Sequence, residues 1–277
     1  MRIVTWNVNS LNARVERVDE WLAYAKPDVL LMQETKLAND QWPEEHYVSR
    51  GYESAHHGQG QWNGVAILSK VGLDDVVRDF ADGGEPDRDA RIITATCGGV
   101  RVTSVYVPNG RSLDDEHYQY KLAWLARLKA HLEADPHADQ AGRVLVGGDF
   151  NIAPDDRDVW STSATEGQTH VSAAERAALA DICSWGLSDV FRERYEADGL
   201  YSWWDYRGGA FHKKMGMRID LLLASASLAA EAEFCLVDRT ARKGKLPSDH
   251  APVMVDVAVD VAVDVAVDVA VDVASAS

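Results

Sequence analysis

Residues 90–108 read ARIITATCGGVRVTSVYVP. The runs 90–97 and 100–107 are rich in β-branched and apolar residues, and Gly98-Gly99 joins them. Such a pair predicts a β-hairpin, because the favoured two-residue turn needs positive φ that glycine adopts freely. A hairpin supplies antiparallel neighbours, so the sheets of this chain are expected to be mixed rather than purely parallel. Around it, strand-like and helix-like segments alternate. RIVTWNVNS reads as a strand, and ARVERVDEWLAYA as an amphipathic helix that stops before Pro27. Strands follow at DVLLMQET and GVAILS, then, past the hairpin, a helix at EHYQYKLAWLARLKAHLEA and a strand at RVLVGGDFN. A helix at SAAERAALADICSWG precedes the late strands RIDLLLAS, AEFCLV and PVMVDV. No Pro/Gly/Ser-rich linker interrupts positions 1–254, which points to one domain over residues 1–256. Residues 257–277 continue a VDVA repeat, a low-complexity tail with no histidine and no nucleophile beyond two terminal serines.

With 277 residues and 46% hydrophobic content, the chain is long enough to bury a substantial core. No apolar run approaches a membrane span and no signal peptide is evident, so no membrane partner is expected. Three scattered cysteines (Cys97, Cys183, Cys235) exclude a disulfide scaffold and fit buried thiols in a reducing cytoplasm. The net charge of −16 argues against nucleic acid on average. Five of the aspartates belong to the repeat after Met254, however. Residues 207–218 (RGGAFHKKMGMR) and 239–245 (RTARKGK) each carry four basic residues and no acid, so a local basic face is expected.

Polar residues recur where apolar strands end. They are Asn7, Glu34, Tyr106 with Asn109, Asp149 with Asn151, Asp220, and Asp249 with His250. One such residue is usually a turn former; six such places suggest a site gathered at sheet ends. Carboxylates and amides without paired thiols or clustered histidines favour Mg²⁺, or Mn²⁺ in its place, over zinc. Ser248 in LPSDHAPV lacks the sharp elbow that would present a nucleophile and is read as a turn residue.

In this order, TWNVNSLNAR, LLMQETK, VYVPNG, GGDFNIAP, SWWDYR, MRIDLLLAS and SDHAPV resemble the exonuclease III family of apurinic/apyrimidinic endonucleases, within the endonuclease/exonuclease/phosphatase superfamily. The likeness covers the chain up to about Asp256. It implies a four-layer α/β sandwich, with two mixed sheets face to face and helices outside. It also implies a Mg²⁺-dependent nuclease that cuts double-stranded DNA 5′ to abasic sites and trims 3′ ends, as a 3′–5′ exonuclease or a 3′-phosphodiesterase or phosphatase, acting as a monomer. Glu34, Asn7 and Asp249 would hold the metal. Asp149, helped by Asn151, would activate water; Asp220 would fix the His250 tautomer; Tyr106 and Asn109 would contact the scissile phosphate. Trp203 and Met217 would line a pocket for the flipped sugar, with Trp204 read as core. Lys36, Arg91, Arg111, Lys213 and Lys214 would contact the DNA backbone. The chain departs from the family at Asn12, where an arginine is common, at Asn9, where some members have Asp, and at Met217, where some have Trp. The rival substrate is a phospholipid or another phosphoester, as for other members of the superfamily. A non-enzymatic binding protein would require a broken catalytic set, and the set is whole.

Overall fold

Gly98 and Gly99 both take positive φ, 54° and 76°, so the predicted turn forms between the two strands it joins. The computed structural model describes residues 1–259, and the tail from 260 lies outside them. In chain order the elements begin β1 (Arg2–Asn7), α1 (Leu11–Ala25), β2 (Val29–Gln33), α2 (Glu44–Val48), β3 (Glu53–His57) and β4 (Val65–Ser69). There follow β5 (Asp74–Arg78), β6 (Ile92–Cys97), β7 (Val100–Tyr106), α3 (Glu116–Ala134) and β8 (Val144–Asp149). The remainder is α4 (Thr162–Thr165), α5 (Ala173–Cys183), β9 (Leu187–Asp189), α6 (Ala210–Lys213), β10 (Asp220–Ser225), α7 (Ala226–Ala230), β11 (Ala232–Val237) and β12 (Val253–Val257).

These strands make two six-stranded sheets, ordered β11-β12-β1-β2-β4-β3 and β5-β6-β7-β8-β10-β9. Each contains one parallel pair, β1 with β2 and β7 with β8, and a helix (α1 or α3) makes each crossover. All other pairs are antiparallel, so the sheets are mixed.

The period of two along each strand sorts side chains into layers. Ile3, Leu31, Val65 and Ile67 from one sheet meet Ile93, Val102, Leu145 and Leu222 from the other. Val4, Trp6, Leu30 and Met32 point the opposite way, onto Val18, Trp21 and Leu22 of α1. On the far side Val105, Val144, Val146, Leu221 and Leu223 pack on Trp124, Leu125 and Leu128 of α3 and Leu179 and Ile182 of α5. The result is helix, sheet, sheet, helix, the four-layer sandwich expected. Most of these side chains have no exposure, and each contributes about 1.5–3 kcal/mol by leaving water.

Candidate active site

Register delivers the polar residues to one edge. Tyr106 pairs with Asp149 across β7 and β8, and Asp149 pairs with Asp220 across β8 and β10, so three polar side chains end neighbouring strands. In the facing sheet Asn7 ends β1, Glu34 directly follows β2, and His250 precedes β12, which runs antiparallel to β1. The two sets meet through Asn7, whose Nδ2 donates to Glu34 Oε1 and to Asp149 Oδ2, both at 2.9 Å. Backbone at this edge is strained. Asn9, Ser10, Glu34, Lys36 and Asn151 all have positive φ, a cost tolerated where surrounding structure over-determines the conformation.

His250 is the centre of the electrostatics. Its Nδ1 donates to Asp220 at 2.9 and 3.0 Å, which leaves Nε2 turned towards Asp149 Oδ2 at 3.7 Å. Asp220 is fully buried and Asp149 and His250 nearly so. Burial disfavours the charged ring, but Asp220 and Asp149 overcome it and hold the His250 pKa up at about 10. Burial pushes the Asp149 carboxyl up to about 7 against the pull of His250. Glu34 is held below its ordinary value: burial opposes this, but Lys36 at 2.8 Å and the Asn7 amide prevail. Burial also drives the Tyr106 phenol well above its usual range, with Glu34 adding to the effect.

Among the described residues, Glu34, Asp149 and His250 form one cluster, with ligand-type atoms within 4.8 Å of one another, in which the carboxylates could hold a cation and the charged ring stands beside them. Its two carboxylates are hard oxygen donors, kept close in a buried place where their mutual repulsion would be relieved by a divalent ion. The residues therefore fit a metal of the Mg²⁺ type. The Asn7 amide nitrogen faces both carboxylates, while Oδ1 accepts from the Asn9 N–H at 3.0 Å. It ties the ligands together. Asp249 lies beside this trio, accepting from Asn9 Nδ2 at 2.9 Å and from Trp203 Nε1 at 3.1 Å.

Ser248 is fully buried; its hydroxyl accepts from the His250 N–H, the local bond expected of a turn serine, and donates across the fold to the Asn7 carbonyl at 2.7 Å. On the other flank Asn109 Nδ2 donates to Asn151 Oδ1 at 3.2 Å, and Asn151 Nδ2 to the Val107 carbonyl at 3.0 Å. Three residues not anticipated join them. His170, with φ of 81°, brings Nε2 to 3.3 Å from Asn109 Nδ2. Behind it, Lys121 and Glu175 form a fully buried ion pair. On a sequence, a lysine and a glutamate within amphipathic helices carry no mark of burial.

The surface around this edge differs from the charge count. Trp203 and Met217 pair backbone to backbone beside the site, and Trp204 is core, 1% exposed. Arg111, Lys213 and Lys214 are exposed, whereas Lys36 is engaged with Glu34 and Asn9. Arg91 is buried: it bonds Asp89 and the Tyr106 carbonyl, with its guanidinium 4.7 Å from the Tyr106 ring centre. It thus supports Tyr106 instead of standing on the surface. Two residues of the expected basic face are also interior. Arg218 is fully buried between Asp158 and Asp189, and Arg242 bonds the Ser248 carbonyl.

The endonuclease/exonuclease/phosphatase family model matches residues 4–250. The chain is similar to an exodeoxyribonuclease III of Haemophilus influenzae, 32% identical over 268 residues, spanning 92% of this chain and 99% of that protein. It is also similar to the structure of an AP endonuclease from Archaeoglobus fulgidus, 36% identical with a TM-score of 0.89, covering 94% of this chain and 100% of that one. A 3′ phosphatase from Neisseria bound to a product DNA hairpin is 37% identical with a TM-score of 0.89, covering 93% and 99%.

Proposed function

For a chain that belongs to the endonuclease/exonuclease/phosphatase family, on its exonuclease III branch, we propose a Mg²⁺-dependent repair nuclease that hydrolyses the phosphodiester 5′ to abasic sites in duplex DNA and clears blocked 3′ ends. The observation that carries this reading is the buried His250–Asp220 pair turned towards Asp149, next to Glu34.

Each residue has a task in that reaction. Glu34 and Asp149 would hold the ion, with Asp249 adding negative charge at its side, and the bound ion would polarise the phosphoryl oxygens and offset their developing charge. Asp149 orients the attacking water and takes its proton, with Asn151 donating its backbone N–H to Asp149 Oδ1 at 2.9 Å. Asp220 fixes the proton of His250 on Nδ1 and keeps the ring charged, so that Nε2–H faces the phosphoryl oxygen. Tyr106 and Asn109 donate to the same phosphate. Displacement in line releases the 3′ oxygen and leaves a 3′-hydroxyl end. Trp203 and Met217 receive the sugar that lacks its base, since extrusion is cheapest where stacking is already lost. Arg111, Lys213 and Lys214 contact the DNA backbone, and the protein works as a monomer. The 3′ activity draws support from the Neisseria 3′ phosphatase, as similar as the Archaeoglobus AP endonuclease.

End-labelled duplexes carrying an abasic analogue, a 3′-phosphate or neither test the proposal, with Mg²⁺ or EDTA. Metal-dependent cutting immediately 5′ to the lesion is expected, with release of the 3′-phosphate alongside. No cleavage of any DNA by folded protein in Mg²⁺ or Mn²⁺ overturns it and directs attention to phospholipid phosphoesters.

A further inference from the structure

Three loops carry Asn109, Asn151 and His170, and all three converge on one buried ion pair. Lys121, on α3, has no exposure, and its Nζ donates to the Asn151 carbonyl at 2.7 Å, the Asn109 carbonyl at 3.3 Å and Glu175 Oε1 at 2.5 Å. That is three acceptors for three N–H bonds. Glu175, equally buried, is the third residue of α5 and closes a capping box with Ser172. Its Oε1 also accepts from Thr169 Oγ1 at 2.8 Å and the His170 N–H at 2.9 Å, and Oε2 from the Ser172 N–H at 3.0 Å. Thr169 Oγ1 in turn lies 3.0 Å from the Asn109 carbonyl.

The loops so held are ones that would not hold themselves. Asn151 (φ 50°), Arg111 (φ 57°) and His170 (φ 81°) occupy the left-handed region that residues with a Cβ disfavour. Gly110 has no room for a Cβ, which would come within 2.7 Å of Thr169 Oγ1 and 3.2 Å of Lys121 Cδ. A buried ion pair is weak evidence for stability, since apolar residues of like volume often serve as well. What this pair does, and an apolar pair would not, is bond the carbonyls of both asparagines at once.

We infer that Lys121 and Glu175 are positioning residues, setting the separation of Asn109 and Asn151 and so the fit of the Asn109 amide to the reacting phosphate and the placement of Asn151 against Asp149. The inference rests on the roles proposed above for the two asparagines, Asn109 at the phosphate and Asn151 in support of Asp149. Sub-ångström placement matters most for contacts that tighten in the transition state, whereas DNA binding is spread over many backbone contacts. Loss of the pair therefore lowers kcat and spares KM.

The test compares wild type with the double variant Lys121→Met/Glu175→Gln, which removes both charges and strands neither. A control double variant, Arg101→Met/Asp135→Asn, removes another buried ion pair, on β7 and just beyond α3. Rates are read with Mg²⁺ at a temperature where each protein is folded. The expected result is a kcat fall of about 30-fold or more for Lys121/Glu175, with KM within about threefold and the control within about threefold in both. Placed in an Asn109→Ala/Asn151→Ala background, the same double change costs less than about threefold, because the groups it positions are gone. Equal kcat in the Lys121/Glu175 and control variants overturns the inference, as does full additivity with the asparagine changes. Should the double variant not fold, Thr169→Val decides: a kcat fall of about fivefold or more sustains the clamp, and one under about twofold rejects it. A wild type that cuts no DNA defeats the functional reading itself, and the clamp with it.

Discussion

Asp149 is a buried carboxylate that burial holds close to neutrality until its neighbours intervene. Asp149→Asn removes the charge and keeps the shape, so activity and stability separate. The cleavage rate is expected to fall by about 10³-fold or more while the metal-free melting temperature does not drop, measured by gel assay and thermal denaturation in EDTA. His250 gives the pH dependence of the metal-free protein. Its folded pKa, about 10, lies above the ordinary 6.5, so its contribution to stability is complete below pH 6.5 and is lost as pH rises towards 10. Asp149, raised from 3.8 to about 7, acts in the same direction at lower pH, its contribution complete below 3.8 and lost as pH rises through 7. Urea midpoints in EDTA should therefore decline from pH 6.5 to 10, and His250→Gln should flatten the decline. A midpoint that rises over this range would contradict the buried, charged imidazole. Most of this chemistry was legible as strand-end polar residues, because Asp149, Asp220 and His250 break apolar runs. Lys121, Glu175 and Arg218 were not, since a charged residue in a helix or loop is ordinarily solvated and only packing reveals its burial.

At the scale of elements, the pair Gly147-Gly148 in β8 shows why a strand that could be all valine is not. A Cβ on Gly148 would collide with the Val105 carbonyl of β7, a backbone atom fixed by the ladder. A Cβ on Gly147 would meet the ends of Leu31 at 2.7 Å and Leu222 at 2.9 Å, flexible side chains in the core between the sheets. Gly148→Ala should cost about 3 kcal/mol or more and Gly147→Ala about 1–2 kcal/mol, ranked by urea denaturation. The reverse ranking would mean that β8 shifts more easily than the core repacks. Helix α3 matches the sequence expectation end to end, and the hairpin of β6 and β7 forms at its Gly-Gly turn. Strands β3, β5 and β9 went unread for separate reasons. Glu53–His57 is polar at four of five positions, Asp74–Arg78 is an edge strand with little buried, and Leu187–Asp189 is three residues long. Their strand character comes from the neighbours that pair with them, which no local pattern records.

For the whole molecule, an acidic protein must meet an acidic polymer, and geography of charge resolves the conflict only in part. Arg91, Arg218 and Arg242 are consumed internally, so the basic surface is smaller than the residue count suggests. Four further aspartates lie beyond residue 259, outside the described residues. Truncation after Val259 is expected to leave kcat within about twofold, because the site is made between residues 7 and 250. It should also tighten DNA binding at low salt, an effect that fades above about 0.15 M as screening shortens the reach of charge. Unchanged affinity at low salt would show that the repeat keeps its charge away from the DNA. One last property follows from β1 lying between β2 and β12, with the Met1 ammonium bonded to the Val257 carbonyl at 2.8 Å. Asn7 and His250 stand 243 residues apart in sequence, yet both are seated along this one seam, where β12 lies against β1. The site is therefore fastened by a zip between distant segments, and a local opening of the β1–β12 ladder would part Asn7 from His250 while the rest of both sheets stayed paired.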